Sequence, residues 1–212
     1  MKPPQETDNP QVGHVIEVRL FATKAVIDSF VQLFQKGLVL DVPEGATVRD
    51  IVTGPLKVEP HYLDGRINTV FLDGQAVDNV DTARVGQGAV LSLSASLPGF
   101  VGAALRKGGF YAVMRAEITL DAHSVPVKSH TSRISVRLYN LVAKELGPKL
   151  LAGGVRFQKA DLTEFLATRP QAFWKACTKI TVNGVQVDPK NLQYMLSSFP
   201  GDVACVYVQV AT

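Results

Sequence analysis

The sequence predicts an α+β protein made of two tandem copies of one small unit, because three local signals occur twice and in the same order. The repeated signals are a strand-like run (residues 16–21 and 134–139), a hairpin (70–78 and 180–188) and a turn with its following strand (88–93 and 201–206). The second copies start 118, 110 and 113 residues after the first ones. Three matches in one order indicate an internal repeat whose loops differ in length.

Length and composition agree with two domains of roughly 100 residues each. The chain has 212 residues, of which 46% are hydrophobic. We predict a flexible arm at residues 1–13, a first domain at 14–96, a joining segment with a loop at 97–132 and a second domain at 133–212. The arm is predicted because residues 1–13 are polar, include three prolines and offer few apolar side chains that could be buried.

The first copy is predicted to begin with a strand, a helix and a second strand. Apolar and polar residues alternate over 15–21, which is the period of a strand with one buried face. Apolar residues then recur at helical spacing over 26–34 and stop at Gly37, a residue suited to a helix C-terminus. The second strand is predicted over 38–42.

Two short motifs predict a helix start and a hairpin turn in the rest of the first copy. The hydroxyl of Thr47 can cap a helix that opens at Val48. The pair Asp73-Gly74 is a strong signal for a two-residue hairpin turn. We predict an irregular segment, the strand before the hairpin and the last strand at residues 55–65, 67–72 and 89–95.

The second copy repeats this order and adds a helix. A helix over 141–151 is expected to break or kink at Pro148, and Asp161 is expected to cap the next helix. The pair Asn183-Gly184 repeats the hairpin signal. Strands of this copy are predicted at 155–157, 180–182 and 203–210.

The order of strands and capped helix resembles the β-grasp fold of ubiquitin, and three motifs carry a closer resemblance. They are Val-Pro-Glu-Gly-Ala-Thr-Val-Arg-Asp at 42–50, Phe-Leu-Asp-Gly-Gln at 71–75 and Val-Gly-Gln-Gly-Ala-Val at 85–90. These motifs resemble the MoaD/ThiS group, which includes the small subunit of molybdopterin synthase and the sulfur carrier of the thiamine pathway. The resemblance covers residues 15–95 and implies two tandem β-grasp domains, each a mixed sheet packed on a helix.

The resemblance also implies a function in protein–protein contact. Members of the MoaD/ThiS group end in a Gly-Gly tail that is adenylated and converted to a thiocarboxylate, whereas this sequence ends in Val210-Ala211-Thr212. Sulfur-carrier chemistry is therefore not expected of the intact chain. The expected function is that of a non-catalytic accessory subunit of a larger partner, an activating or cofactor-synthesis enzyme of molybdenum- or tungsten-cofactor or sulfur-transfer metabolism.

The joining segment is the candidate interaction site, because residues 97–111 are apolar and glycine-rich where a linker would normally be polar. In one interpretation a helix over 97–107 packs between the domains. In the other, the segment occupies the place of the carrier tail and contacts the partner. The candidate partner-binding residues are Phe100, Arg106, Lys107, Phe110 and Tyr111.

A different hypothesis rests on Gly108 and Gly109. Cleavage after Gly109 would expose a family-like Gly-Gly tail and make the chain the precursor of a sulfur carrier. The same pair can instead end the helix that precedes it. A third hypothesis is a small-molecule or nucleic-acid binding module, which would require a concentrated basic or aromatic surface.

Several other classes of function are excluded by the motifs. Cys177 and Cys205 do not have ligand-like spacing, and neither do the four histidines, which are His14, His61, His123 and His130. There is no phosphate-binding loop and no nucleophile elbow. We therefore predict no catalytic residues, no metal and no cofactor, and a protein that is not an enzyme.

Charge and hydropathy limit the classes of partner that the chain can bind. The formal net charge is +3, and residues 116–212 hold 11 basic against 7 acidic residues, an excess too small and dispersed to favour nucleic acid. No apolar run reaches the roughly 18 residues that a membrane span needs. The start of the chain lacks an apolar signal core. A cytoplasmic protein without membrane association is predicted.

Overall fold

The computed structural model describes residues 15–96, 99–112, 120 and 130–210. In this part of the chain ten β-strands form one mixed sheet, and helices pack against it, which confirms the α+β class. The predicted arm at 1–13, the start of the joining segment at 97–98 and the chain end at 211–212 lie outside the described residues.

The elements are numbered in chain order. The strands are β1 (Ile16–Ala22), β2 (Leu38–Pro43), β3 (Thr69–Leu72), β4 (Gln75–Ala76), β5 (Val90–Ser94), β6 (Thr131–Leu138), β7 (Val155–Gln158), β8 (Cys177–Val182), β9 (Val185–Gln186) and β10 (Val203–Val210). The helices are α1 (Lys24–Ser29), α2 (Val31–Lys36), α3 (Val48–Thr53), α4 (Pro60–Gly65), α5 (Gly99–Ala104), α6 (Asn140–Gly153), α7 (Lys159–Ala167), α8 (Gln171–Lys175) and α9 (Pro189–Ser198).

The order of strands in the sheet does not confirm two tandem β-grasp domains. That order is β4-β3-β5-β6-β2-β7-β10-β1-β8-β9. The first strand of the first copy, β1, lies between β10 and β8 of the second copy. The first strand of the second copy, β6, lies between β5 and β2 of the first copy. The two copies have thus exchanged their first strands.

Helical crossovers explain this exchange. Strands β1 and β2 run in the same direction, because β1 is parallel to β10 and two antiparallel pairings connect β10 through β7 to β2. Strands β6 and β7 also run in the same direction, since each is antiparallel to β2. Strands that run in the same direction need a long connection. Helices α1 and α2 form this connection between β1 and β2, and α6 forms it between β6 and β7.

The core is continuous across the two copies. On β1, Ile16, Val18 and Leu20 are buried on one face, as the alternation predicts. Helix α2 of the first copy packs on β6 of the second, and α6 of the second copy packs on β5 of the first as well as on β10, so each copy's helix covers a strand of the other copy. The ring of Phe34 in α2 lies 5.6 Å from that of Phe157 in β7. One apolar core therefore holds both copies together.

The predicted cap at Thr47 and the two predicted hairpin turns are confirmed. The side chain of Thr47 accepts a hydrogen bond from the backbone N–H of Asp50, whose carboxylate in turn accepts from the backbone N–H of Thr47. Both residues of each hairpin turn have positive φ, 51° and 83° for Asp73-Gly74 and 49° and 82° for Asn183-Gly184. Such a turn has the twist that two antiparallel strands need.

Four local predictions are wrong. Helix α6 continues through Pro148 without a break, and the helix predicted over 26–34 is divided at Phe30 into α1 and α2. Residues 55–65 are not wholly irregular, because α4 begins with Pro60, the position at which a missing N–H costs nothing. Gln158, not Asp161, is the N-cap of α7.

The face of the sheet opposite to the helices, called the open face below, carries charged side chains. The carboxylate of Asp41 in β2 accepts hydrogen bonds from Arg133 in β6, at 3.0 Å, and from Arg156 in β7, at 2.5 Å. Burial opposes ionisation of this carboxyl, but the two arginines outweigh burial and lower its pKa. Asp41 thereby bridges strands of the two copies.

We expect Asp41→Asn to lower the free energy of unfolding at neutral pH by about 1.5–3 kcal/mol, the range for hydrogen bonds to charged groups. Because the folded-state pKa is lowered, this stabilisation is present above the unfolded-state pKa of about 3.9 and is lost as the pH falls through the folded-state value. Urea unfolding of the wild type and the variant at several pH values between 7 and 2 would measure this pH-dependent stabilisation. The variant should lose less stability on acidification, whereas Asp202→Asn, at an exposed acid, should follow the wild type.

Candidate functional site

The joining segment presents three aromatic side chains together. The ring of Tyr111 lies 5.4 Å from that of Phe100, at the start of α5, and 5.2 Å from that of Phe110. Phe100, Phe110 and Tyr111 are called the aromatic cluster below, and they are 60%, 90% and 42% exposed. Sequence analysis named all three, and the structure brings them into contact.

Hydrogen bonds fix the segment to the first copy. The backbone N–H of Lys107 donates to the carbonyl of Asn68 at 2.7 Å, and the Lys107 ammonium donates to the carbonyl of Leu63 at 2.9 Å. The backbone N–H of Gly108 donates to the carboxylate of Asp78 at 2.8 Å. The aromatic cluster therefore stands on an anchored base.

The two basic candidates differ in position. Lys107 is half-buried, and this burial lowers the pKa of its ammonium, while the charge of Asp64 acts in the opposite direction. Its side chain serves to anchor the segment. Arg106 is exposed, and its carbonyl accepts a hydrogen bond from the backbone N–H of Gly109 at 3.0 Å. Of the two, Arg106 is the cation on the surface of the segment.

Gly108 and Gly109 form a tight turn. Gly108 has a φ of +59°, a conformation that favours glycine. The carbonyl of Gly109 accepts from the backbone N–H of Ala112 at 3.0 Å, and a side chain at Gly109 would contact the carbonyl of Arg106 at 3.1 Å. The pair reverses the chain, whereas a carrier tail has to be extended.

The cysteines and histidines add no site within the described residues. Burial raises the pKa of the Cys177 thiol to about 11 and also raises that of Cys205, so both stay protonated at neutral pH. Among residues 15–96, 99–112, 120 and 130–210, no three metal-ligating side chains lie together. His14 and His123 lie outside these residues. Nor does any helix in the described part of the chain have the length and apolar character to cross a membrane.

Sequence analysis did not find the residues that anchor the segment. Neither Asp78 nor Asn68 was predicted to contact the segment. The side chain of Asn68 donates to the hydroxyl of Ser96 at 2.9 Å, and its carbonyl accepts from the backbone N–H of Lys107. Their role depends on contacts between residues 30 to 40 positions apart, for which the local sequence contains no signal.

Comparisons with known proteins do not assign a family. No protein-family model, no curated protein and no solved structure matches the chain. The resemblance of residues 15–95 to the MoaD/ThiS group stays a prediction, and the functional argument depends on the geometry of the site.

Proposed function

We propose that this chain is a cytoplasmic, non-catalytic interaction protein that docks on a larger protein through the aromatic cluster. The observation that carries this proposal is the exposure of three touching aromatic side chains on an anchored segment. Burial of one such side chain contributes about 1.5–3 kcal/mol. Because hydrogen bonds already hold the segment in place, little further ordering opposes binding. Clusters of this kind form the centres of protein interfaces.

The charge of the segment indicates the chemistry of the partner surface. Residues 99–112 contain Arg106 and Lys107 and no acidic residue. The complementary surface is an apolar pocket bordered by carboxylates. The resemblance to the MoaD/ThiS group supports one kind of partner, an enzyme of molybdenum- or tungsten-cofactor synthesis or of sulfur transfer. This chain would be its accessory subunit.

We expect Phe100→Ala combined with Phe110→Ala to weaken partner binding by about 100-fold or more, since each truncated hot-spot side chain costs about 2 kcal/mol or more. Isothermal titration calorimetry would measure binding to two purified enzymes of the same cell, the large subunit of molybdopterin synthase and the adenylating enzyme of the sulfur-carrier pathway. Folding of the variant would be checked by its thermal unfolding.

A matched control is Tyr194→Ala, at an aromatic residue on α9 that is 77% exposed and makes no ring contact with the cluster. This variant should bind as the wild type does. The proposal is wrong if the wild type binds neither enzyme, or if the double variant binds as tightly as Tyr194→Ala.

A further inference from the structure

The strand residues of the open face account for the chain's surplus of positive charge. The ten described strands contain five cations and two carboxylates, which are Arg19, Arg133, Arg137, Arg156 and Lys179 against Glu17 and Asp41. Each of these residues is followed in its strand by a buried core residue, so all of them lie on the open face. Their surplus of three charges equals the formal net charge of the whole chain, +3. A charge that is dispersed along the sequence is thus concentrated on one face of the sheet.

The internal repeat places two arginines on this face with different surroundings. Arg19 and Arg137 occupy the same position in the repeated runs 16–21 and 134–139. Glu17 accepts two hydrogen bonds from Arg19, at 2.6 and 3.0 Å, but the position equivalent to Glu17 in the second copy is Ser135. The Nε of Arg137 donates to the carbonyl of Lys36 at 3.2 Å, and no carboxylate in the described residues pairs with Arg137. Its terminal guanidinium nitrogens therefore suit a phosphate group.

Two further positive charges lie along the same face. Lys179 on β8 is exposed, and it forms no ion pair with a carboxylate in the described part of the chain. Arg133 and Arg156 share the single carboxylate of Asp41, which leaves this group with one net positive charge. Five strand spacings separate β6, which carries Arg137, from β8, so the charges extend over about 24 Å. This arrangement fits an extended polyanion better than a small anion.

The guanidinium of Arg19 provides a flat surface between these charges. It lies 4.2 Å from the ring centroid of Tyr207, the residue that pairs with Arg19 across β1 and β10. Glu17 holds the guanidinium through two nitrogens along one edge, so both planar faces stay clear of this carboxylate. The Arg19 side chain is 34% exposed. Fixed guanidinium planes of this kind stack on unpaired nucleobases.

We infer that the open face binds single-stranded nucleic acid, with a base on the guanidinium of Arg19 and phosphates on Arg137, on Lys179 and on the Arg133–Asp41–Arg156 group. Open sheet faces that combine cations with stacking surfaces bind single strands, whose bases are not already paired. A duplex keeps its bases inside and leaves the stacking surface unused. This inference is independent of the aromatic cluster, and failure of one proposal leaves the other intact.

The test uses the full chain and the fluorescence anisotropy of labelled single-stranded RNA and single-stranded DNA of about 12 nucleotides. At least one of them should bind at low salt with a dissociation constant of about 1–100 μM. The logarithm of the affinity should fall with the logarithm of the salt concentration with a slope of about −2, because each of three phosphates contributes about −0.7. The inference is overturned if neither strand binds, or if the corresponding duplex or polyaspartate binds as tightly.

Charge variants test the phosphate contacts. Arg137→Gln and Lys179→Gln should each weaken binding several-fold and reduce the magnitude of the salt slope by about 0.7. The matched control is Lys144→Gln, which removes the same charge from an exposed position on α6, on the side of the sheet that the helices cover. This control should bind as the wild type does. Equal losses of affinity in Lys144→Gln and Arg137→Gln would overturn the inference.

Two other variants separate a binding role from a structural one. Arg19→Lys keeps the charge and removes the guanidinium plane, so it should weaken binding by about 5-fold or more without changing the salt slope. Asp41→Asn releases Arg133 and Arg156 from their carboxylate, so it should tighten nucleic-acid binding although it destabilises the fold. Thermal unfolding would confirm that each variant is folded at the temperature of the titration. Wild-type affinity in Arg19→Lys, or weaker binding by folded Asp41→Asn, would overturn the inference.

Discussion

A fragment comprising residues 1–109 is expected to remain unfolded in isolation. Without β6 to β10, strand β1 loses both neighbours, β10 and β8, and β2 loses β6 and β7. The buried side chains that would become exposed include Ile16, Val18, Leu20, Leu38 and Val42. At about 1.5–3 kcal/mol each, their burial amounts to about 10 kcal/mol, comparable with the whole stability of a typical domain.

The internal repeat suggests that β1 could take the place of the missing β6 in this fragment, but the helical crossover between β1 and β2 prevents this. Residues 16–21 resemble 134–139, so β1 has a suitable pattern for the position of β6 between β5 and β2. In that position, however, β1 would have to run antiparallel to β2, whereas α1 and α2 connect the two strands as a parallel crossover. Reversing β1 would place its end beside the start of β2 and leave the helices without their path along the sheet.

Far-ultraviolet circular dichroism and amide NMR spectra of residues 1–109 would measure this directly. Addition of residues 110–212 should restore the fold, because the two pieces together contain every described strand. A folded monomeric fragment would contradict the exchange of first strands. The result also bears on the sulfur-carrier hypothesis, since cleavage after Gly109 can only yield a functional carrier if residues 1–109 fold once released.

The sequence predicts the local elements better than their arrangement. The Thr47 cap and the Asp73-Gly74 turn depend on residues within four positions of one another, so the local sequence contains the whole signal. The sheet order depends on which strands meet after a helical crossover. Strands β1 and β6 have the same alternation, and nothing in that alternation distinguishes a strand that stays with its own copy from one that pairs with the other.

The same reason limits prediction of the candidate sites. An apolar segment where a polar linker is expected indicated the aromatic cluster, because exposed Phe100 and Phe110 are visible as composition. The anchoring role of Lys107 depends on the carbonyl of Leu63, 44 residues earlier in the chain.

Gly154→Ala is expected to lower the free energy of unfolding by about 3 kcal/mol or more, from two additive causes. Gly154 ends α6 with a φ of +88° and a ψ of 120°, a conformation from which a Cβ atom is sterically excluded at a cost of about 1–3 kcal/mol. The new Cβ would also overlap ring atoms of Tyr207. Overpacking of this kind costs about 1–3 kcal/mol.

The Tyr207 ring cannot move away freely, because the guanidinium of Arg19 lies 4.2 Å from its centroid and Glu17 holds that guanidinium at 2.6 Å. Urea unfolding of Gly154→Ala alone and together with Tyr207→Ala separates the two causes. With the ring removed, only the backbone cost of about 1–3 kcal/mol should remain. The control is Gly153→Ala, one residue earlier, inside α6 and facing open space, which should be neutral or stabilise by up to about 1 kcal/mol. Equal stabilities of the Gly154→Ala and Gly153→Ala variants would show that α6 does not end against Tyr207 in this way.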